Sequence, residues 1–491
     1  MSEVIDITKR RFVGTRETLI YGIANSGQVM TASLITGYLT YFYVNIFNID
    51  PVIVASMLLF EGIWDAFNDP LMGSLVDKTR TRWGKFKPYL LGIPAPMALV
   101  SVVLLAGPLL INDPNPRSAV KIVFMFVTYT LWELLFTISD VPFWGMSAAI
   151  SPSPEDRTRA IASASFLSRN LGGIPTTIMP IMMDLTKNGI VKTDLKQTFF
   201  ITGSACAIIG MGLFFLAGIF TKERVAQSME EPRLIDCFKS ITKNGPLKLL
   251  IWHNLLGALG NIGGIFGQYY FIDVLGNASA SLFVWMLGSV VTPVSYAFIG
   301  KVKERFNNKQ IIIISKLFND FIGILMFFLS IKRYADIRFM LPMMSIRNAL
   351  SAIFHGVGSV VPKEMIIDTV DYMEWKTGQR SEGMSFSVLT LVGKLNGALS
   401  RALGSLLISV IGYKTSHTSA IVPQTEAVKF RIFAMNSIVP TLLGLFAIIP
   451  ILFYDLVGEK HERILRELTE RRESLAKEAT VVNGDPVTNN I

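Results

Sequence analysis

What most constrains this chain is the length and number of its apolar blocks. About twelve follow one another, near 18–46, 52–76, 88–110, 119–147, 160–183, 199–221, 247–272, 279–300, 309–331, 336–360, 382–411 and 430–455. A helix rises about 1.5 Å per residue, so roughly 20 apolar residues cross the hydrocarbon core of a bilayer. A soluble helix alternates an apolar and a polar face. Stretches such as LLGIPAPMALVSVVLLAGPLL (90–110) do not alternate. Hydrophobic residues make up 51% of the chain and charged ones 17%, where a soluble domain carries about a quarter charged residues. The sequence predicts an all-α membrane protein with twelve transmembrane helices.

The net charge of +9 is placed in alternate loops. One set holds Lys9, Arg10, Arg11 and Arg16, then Lys78, Arg80, Arg82, Lys85 and Lys87. It continues through Arg157, Arg159, Lys222, Arg224, Lys301, Lys303, Lys363 and Lys376 to the tail. The intervening loops are short and poor in Lys and Arg. This is the positive-inside pattern. It places both termini in the cytoplasm and requires an even number of spans. The charge orients the chain in a cell membrane, and no nucleic-acid motif accompanies it. Cys206 and Cys237 are not expected to pair in a reducing compartment. Met1 opens a polar, basic segment, so the first span is expected to act as its own targeting signal.

Twelve spans divide at the basic linker 223–246 into two sets of six. The sequence GSLVDK (73–78) follows span two, and GKVKER (300–305) follows span eight. Each has Gly, an acid four residues later, and then a base. Two pseudo-symmetric six-helix halves with a midplane site are the plan of the major facilitator superfamily. The expected divisions are 1–222 for the N-terminal half with the cation site, 223–246 for the linker, 247–455 for the C-terminal half and 456–491 for the tail. In the tail, Val457, Ile464, Leu465, Leu468 and Leu475 have helical spacing. They predict a short surface helix on a solvated tail, with disorder beyond about residue 479.

Acids inside the spans are the next constraint. Span two carries Glu61, Asp65 and Asp69 on one helical face, joined by Asn68. Span four carries Glu133, Thr137 and Asp140 on one face. Unpaired, five such acids would cost on the order of 10 kcal/mol, so they must face the interior and be neutralised. A small cation could take Asp65, Asn68, Asp69 and Thr137 as hard oxygen ligands. A proton could sit on one acid, since like charges at close range resist double ionisation. Arg169, Arg347, Lys394 or Arg401, all within apolar blocks, could pair with them. A static salt-bridge network that only fixes helix packing is the remaining alternative.

The stretch IWDAFNDP (63–70), followed by RTRWGKFKP (80–88), resembles the signature of the glycoside-pentoside-hexuronide:cation symporters, as do FTISDVPFW (136–144), DTVDYMEW (368–375) and SVLTLVGK (387–394). These lie in order from the second span to the eleventh. The resemblance implies that Asp65, Asn68, Asp69 and Thr137 bind the coupling cation, Na⁺ or H⁺, with Li⁺ a further candidate. It implies that Asp140 and Trp144 face the sugar, and that Lys394 interacts with the span-two acids. Thr390 lies one turn before Lys394. Asp368, Asp371, Glu374 and Arg380 match charges that close the cytoplasmic side. The family's span-one Lys-Asp pair is replaced by Gln28 and Val29.

The expected function is cation:sugar symport by alternating access, with the protein working as a monomer in the bilayer. Sugar hydroxyls need carboxylate and amide partners and a ring platform, which Asp140, Gln28, Asn25 and Trp144 can supply. No Walker A, HExxH, GxSxG or CxxC constellation occurs, so neither ATP coupling nor enzyme activity is expected. No cofactor is expected beyond the coupling ion. Two other classes stay open. One is a cation-coupled carrier of an anionic or amphipathic solute gripped by Lys394 and Arg347. The other is a membrane sensor that binds without transport.

Overall fold

A computed structural model describes residues 11–225, 244–378, 382–415 and 422–483. Helices dominate, and an isolated bridge joins Thr81 to Gly84. The chain before the linker forms α1 (Thr15–Tyr41), α2 (Pro51–Lys78), α3 (Lys87–Gly92), α4 (Pro94–Leu110), α5 (Ala119–Ala149), α6 (Pro154–Leu171), α7 (Ile174–Lys187) and α8 (Leu195–Phe220). After the linker come α9 (Gly245–Asn261), α10 (Gly263–Tyr269), α11 (Ala280–Ala297), α12 (Ile299–Lys303), α13 (Asn308–Ser330), α14 (Ile337–Ala352) and α15 (His355–Thr377). The series ends with α16 (Glu382–Val410), α17 (Glu426–Asn436), α18 (Ile438–Gly444), α19 (Ile448–Leu452) and α20 (Glu459–Asn483).

Among the described residues, seven helical stretches are long and apolar enough by themselves to cross a membrane: 51–76, 119–149, 195–220, 245–274, 280–297, 308–330 and 426–452. The other expected blocks do not reach that length and apolarity by themselves, for two physical reasons. Some blocks are broken. Ile93 separates α3 from α4, Gly172 and Gly173 separate α6 from α7, and Ile353 and Phe354 separate α14 from α15. Others spend positions on interior polar groups. In α1, Asn25, Ser26, Gln28 and Thr31 are all buried. The outward faces are apolar, with Leu99, Val123, Val127, Ile208 and Phe328 all more than half exposed. In water such a belt would be an aggregation surface, whereas lipid accepts it.

Small residues set the tightest packing. Helix α1 runs against α8 and α6. Where α1 meets α8, a Cβ built on Gly210 would lie 2.5 Å from the Gly27 carbonyl, so only glycine permits this approach. Helices α2 and α16 run antiparallel and join the two stretches of chain on either side of the linker. Ser405 donates to the Pro51 carbonyl (2.8 Å), and Gly62 faces Ala398.

Two segments repeat in detail. The π-helical turns Phe42–Ile46 and Tyr270–Val274 close the helices that begin at α1 and α9. Phe47 N–H donates to the Phe42 carbonyl and Ile49 N–H to that of Tyr43; Leu275 N–H and Asn277 N–H repeat this onto Tyr270 and Phe271. Asn48 and Gly276, at equivalent positions, both have positive φ, 53° and 69°.

The end of the molecule that carries the basic loops is tied by carboxylates. Glu223 accepts from the backbone N–H groups of Lys85, Phe86 and Lys87 at 2.8–3.0 Å. Gly84 is required there: its φ is +108°, and a Cβ would lie 2.5 Å from the Glu223 carboxylate. Arg224 forms a two-pronged pair with Glu17. At the opposite end, contacts join the two stretches of chain. Asn45 donates to Tyr269 Oη (3.0 Å), Thr415 to Asn48 (3.1 Å) and Lys187 to the Gly276 carbonyl (2.7 Å). Asp184 accepts from Ala278 N–H and Ser279 N–H.

The tail differs from the expected solvated segment. Helix α20 packs on α15 and extends to Asn483, past the residue 479 expected to begin disorder. Ile464 and Leu468, one turn apart, are fully buried in a cluster with Met365, Ile366 and Tyr454. Trp375 Nε1 donates to Glu467 (2.5 Å).

Candidate functional site

The site is assembled by three helices. On α2 the four-residue spacing stacks Asp65 and Asp69 on one face, both half-buried, with Asn68 buried beside them. From α5, Thr137 Oγ1 donates to Asp69 Oδ1 (3.3 Å). From α16, Lys394 Nζ bonds Asp69 Oδ2 and lies 3.9 Å from Asp65 Oδ2. The four residues expected to bind a cation are thus brought together. The group placed among them is the Lys394 ammonium. Among the described residues, Asp65 Oδ1 and Asn68 Nδ2 are buried and meet no hydrogen-bond partner. The donor set of two carboxylates, one amide and one hydroxyl suits a hard monovalent ion or a proton.

One turn along α5 from Thr137 lies Asp140, half-buried, with Gln28 and Trp144 as its polar neighbours. Gln28 Nε2 donates to Ser139 Oγ (2.8 Å). Asn25 donates to the Ala164 carbonyl of α6 (3.1 Å), so its amide serves helix packing. Trp144 is 37% exposed and stands edge-on to Phe143 (5.4 Å). Phe143 in turn stacks on Tyr21 at 4.3 Å. Trp144 therefore presents a face held from behind by an aromatic ladder. Thr390 is exposed on α16.

The other membrane acids have separate partners. Thr130 donates to Glu61. Tyr129 donates to Glu133 (2.5 Å). Asp320 pairs with Lys316 of its own helix (2.5 Å). The sequence reading did not single out Lys316; its i,i+4 spacing to Asp320 was the available signal.

Of the four charges matched to a cytoplasmic gate, Asp368 lies 3.2 Å from His461 of α20. Asp371 and Glu374 are half-buried on the same helix as Asp368. Arg380 lies outside the described residues. Asp368, directly against the ring, holds the His461 pKa above its ordinary value, and burial opposes this.

Two cavities lie nearby. The larger, about 1000 Å³, is lined by residues that include Tyr38, Asn261, Lys316, Asp320 and Arg347. The smaller, about 280 Å³, touches Gln268, Asn396 and Arg401. The larger lies within the range of small-molecule sites. Sequence reading missed Asn261, Gln268 and Asn396, because isolated amides in apolar blocks show no periodic signal.

Comparison with known proteins places this architecture. The profile of the family described as MFS/sugar transport protein matches residues 20–458. The chain is 26% identical over 477 residues to the isoprimeverose transporter of Lactiplantibacillus pentosus, covering 95% of this chain and 93% of the relative. It is 24% identical over 441 residues to the glucuronide carrier protein homolog of Escherichia coli (strain K12), covering 89% and 91%. The fold is similar to that of a bacterial homolog of the human lysosomal transporter Spinster, crystallised in an inward-facing and unoccupied conformation. The TM-score is 0.58 at 12% identity, covering 90% of this chain and 96% of that one. These relatives are carriers rather than enzymes. The chain is a multi-pass membrane protein of the MFS/sugar transport protein family, and within it belongs with the glycoside-pentoside-hexuronide:cation symporters that its span-two and span-four motifs resemble.

Proposed function

We propose that this protein is a secondary active transporter that couples movement of a sugar or glycoside to a cation, Na⁺ or H⁺, by alternating access. One observation carries the reading. Two acids of α2 converge on a lysine from α16, a helix on the far side of the linker, and a hydroxyl of α5 bonds one of those acids. Charges inside a membrane bundle mark ion pathways by default.

The proposed mechanism starts from this arrangement. Lys394 neutralises Asp69 and draws on Asp65. An arriving cation displaces the ammonium and takes the carboxylate oxygens, Asn68 and Thr137. Asp69 then no longer competes with Asp140 for the field of Lys394, and Asp140 is free to accept from a sugar hydroxyl beside Trp144. Each ligand thereby raises the affinity for the other, a coupling that linkage makes reciprocal.

The full span count in this proposal is twelve, six on either side of the linker, with the broken helices counted as crossings. The repeated π-helical turns support the division into two halves. Basic loops mark the cytoplasmic end, with both termini there. The contacts joining the halves gather at the opposite end, which corresponds to an inward-facing state. The protein is proposed to work as a monomer in the plasma or inner membrane. Uptake of labelled glycosides into vesicles with an imposed Na⁺ or proton gradient tests the reading. Accumulation that collapses when either gradient is dissipated is expected. Uptake indifferent to both gradients would overturn cation coupling.

A further inference from the structure

Glu61 lies on α2 one turn from Asp65, toward the end of the molecule away from the basic loops. It is 3% exposed. Its Oε1 accepts from Thr130 Oγ1 of α5. Among the described residues, Oε2 is buried and meets no hydrogen-bond partner. No lysine, arginine or histidine among them pairs with Glu61, and the charges that act on it, Glu133 of α5 and Asp65, are both negative. The nearby tyrosines bring no counter-charge. Tyr43, in the first π-helical turn, feels the field of Glu61, and Tyr129 is bonded to Glu133 (2.5 Å).

The neighbouring acids are served differently. Lys394 and Arg401 of α16 act on both Asp65 and Glu133, and Asp69 bonds Lys394. Five acids, Glu61, Asp65, Asp69, Glu133 and Asp140, thus share two bases. The coupling cation of the reading above adds one positive charge and still leaves the acids in excess. A carboxylate can only accept hydrogen bonds. Ionised Glu61 would bury a charged oxygen with no donor in the field of two like charges, which is costly in a low dielectric. The neutral acid avoids this, because Oε1 keeps the Thr130 bond and the proton sits on Oε2. Among the described residues Glu61 bonds none of the residues proposed to bind the cation, so its link to them runs through the charge of Asp65.

We infer that Glu61 is a proton-binding site of its own, separate from the coupling-cation site, and that a positive charge arriving at Asp65 and Asp69 drives its proton off. The O–H bond on Oε2 breaks, the electron pair stays on the carboxylate, and water on the side to which the site is open takes the proton. The inference rests on the cation site proposed above and goes beyond it. Infrared spectroscopy of the full-length protein in lipid nanodiscs tests it without reference to transport. At pH 7 and without Na⁺, native protein is expected to show a carbonyl band of a protonated acid that Glu61→Gln lacks. Identical spectra would overturn the proton site. Asp65→Asn removes one of the two like charges, so the pH midpoint of that band is expected to fall by about one pH unit or more. An unmoved midpoint would overturn the link. Reciprocity makes Na⁺ binding to native protein tighten by the same factor, about tenfold or more, as pH rises through the midpoint, and Glu61→Gln should flatten that rise. A rise that survives unchanged in Glu61→Gln would place the proton on Asp65 or Asp69 and overturn a separate site. Na⁺ bound by neither protein would sink Na⁺ coupling alone, with the band and its shift in Asp65→Asn still deciding the proton site. If Glu61→Gln does not fold, Glu61→Asp, expected to move the band without removing it, makes the assignment. If Asp65→Asn does not fold, loss of the native band on adding Na⁺ decides the link.

Discussion

Asp69 is the residue on which the proposed coupling turns, because Thr137 of α5 and Lys394 of α16 both bond it. Asp69→Asn keeps the shape and removes the charge. Cation-driven accumulation is expected to fall about tenfold or more, toward equilibration, while sugar counterflow persists. Uphill accumulation at the original level in vesicles would remove Asp69 from the mechanism. Asp140 belongs to the sugar side of the same site. Hydrogen bonds to a charged group contribute roughly 1.5–3 kcal/mol, so Asp140→Asn is expected to weaken sugar binding by about tenfold or more. Titration of the purified variant checks this, and unchanged affinity would count against the assignment. The helical spacing of Asp65 and Asp69 was legible in sequence because periodicity within one helix is local information. That Lys394 would meet them was legible only through the family motif. The i,i+4 spacing of Lys316 and Asp320 was there to be read as well, whereas which cavity the pair lines depends on helix packing that spacing does not fix.

At the scale of helices, close approach and docking were the least legible features. The approach of α1 to α8 rests on Gly27 and Gly210, and nothing in either local sequence names the partner. A Cβ on Gly27 would lie 2.8 Å from that of Leu213, whereas one on Gly212 meets nothing within 4 Å. Gly27→Ala is expected to lose about 1–3 kcal/mol of stability through overpacking, and Gly212→Ala to lose none. Thermal unfolding of both in detergent compares them, and equal midpoints would refute the packing argument. The tail helix was legible as a helix, since its apolar residues recur every three to four positions. Its docking was not, because an amphipathic stripe does not say what covers it. The His461 contact makes that docking depend on pH. Its pKa is raised by Asp368, so the contribution is complete below the ordinary histidine value of about 6.5. It is lost as pH rises through the raised value. Deuterium exchange in α20 is therefore expected to speed up as pH rises above the ordinary histidine value of about 6.5, beyond the intrinsic effect of base, and His461→Gln should flatten that excess. An unaltered pH profile in the variant would show that the contact does not hold the tail.

For the whole molecule, the apolar blocks and the alternation of basic loops announced a membrane bundle. The count of spans read from hydropathy was less secure, because interior helices carry amides and acids that lower the signal. The state of the transporter was not legible at all, since both access states share one sequence and differ only in which end of the halves is in contact. Here the contact lies at the end away from the basic loops, where Asp184 of α7 accepts from the backbone N–H groups of Ala278 and Ser279. Alternating access requires this latch to part in every cycle. Introducing Asp184→Cys with Ser279→Cys, in a background with Cys206 and Cys237 replaced by Ser, places two thiols across it. A carboxylate oxygen 2.8 Å from the Ser279 nitrogen puts the two backbones within reach of a disulfide or a short bifunctional bridge. Oxidation is expected to lower uptake about tenfold or more, because a covalent bond removes the outward-facing state from the equilibrium. Reduction should restore it, and single-cysteine variants should not respond. The carboxylate is lost in the reduced double variant too, so the comparison of oxidised with reduced protein isolates the link from the loss of the latch. Full turnover with the bridge verified by mass spectrometry would mean that this end does not open during transport, and the rocking of one half against the other would have to be abandoned for this chain.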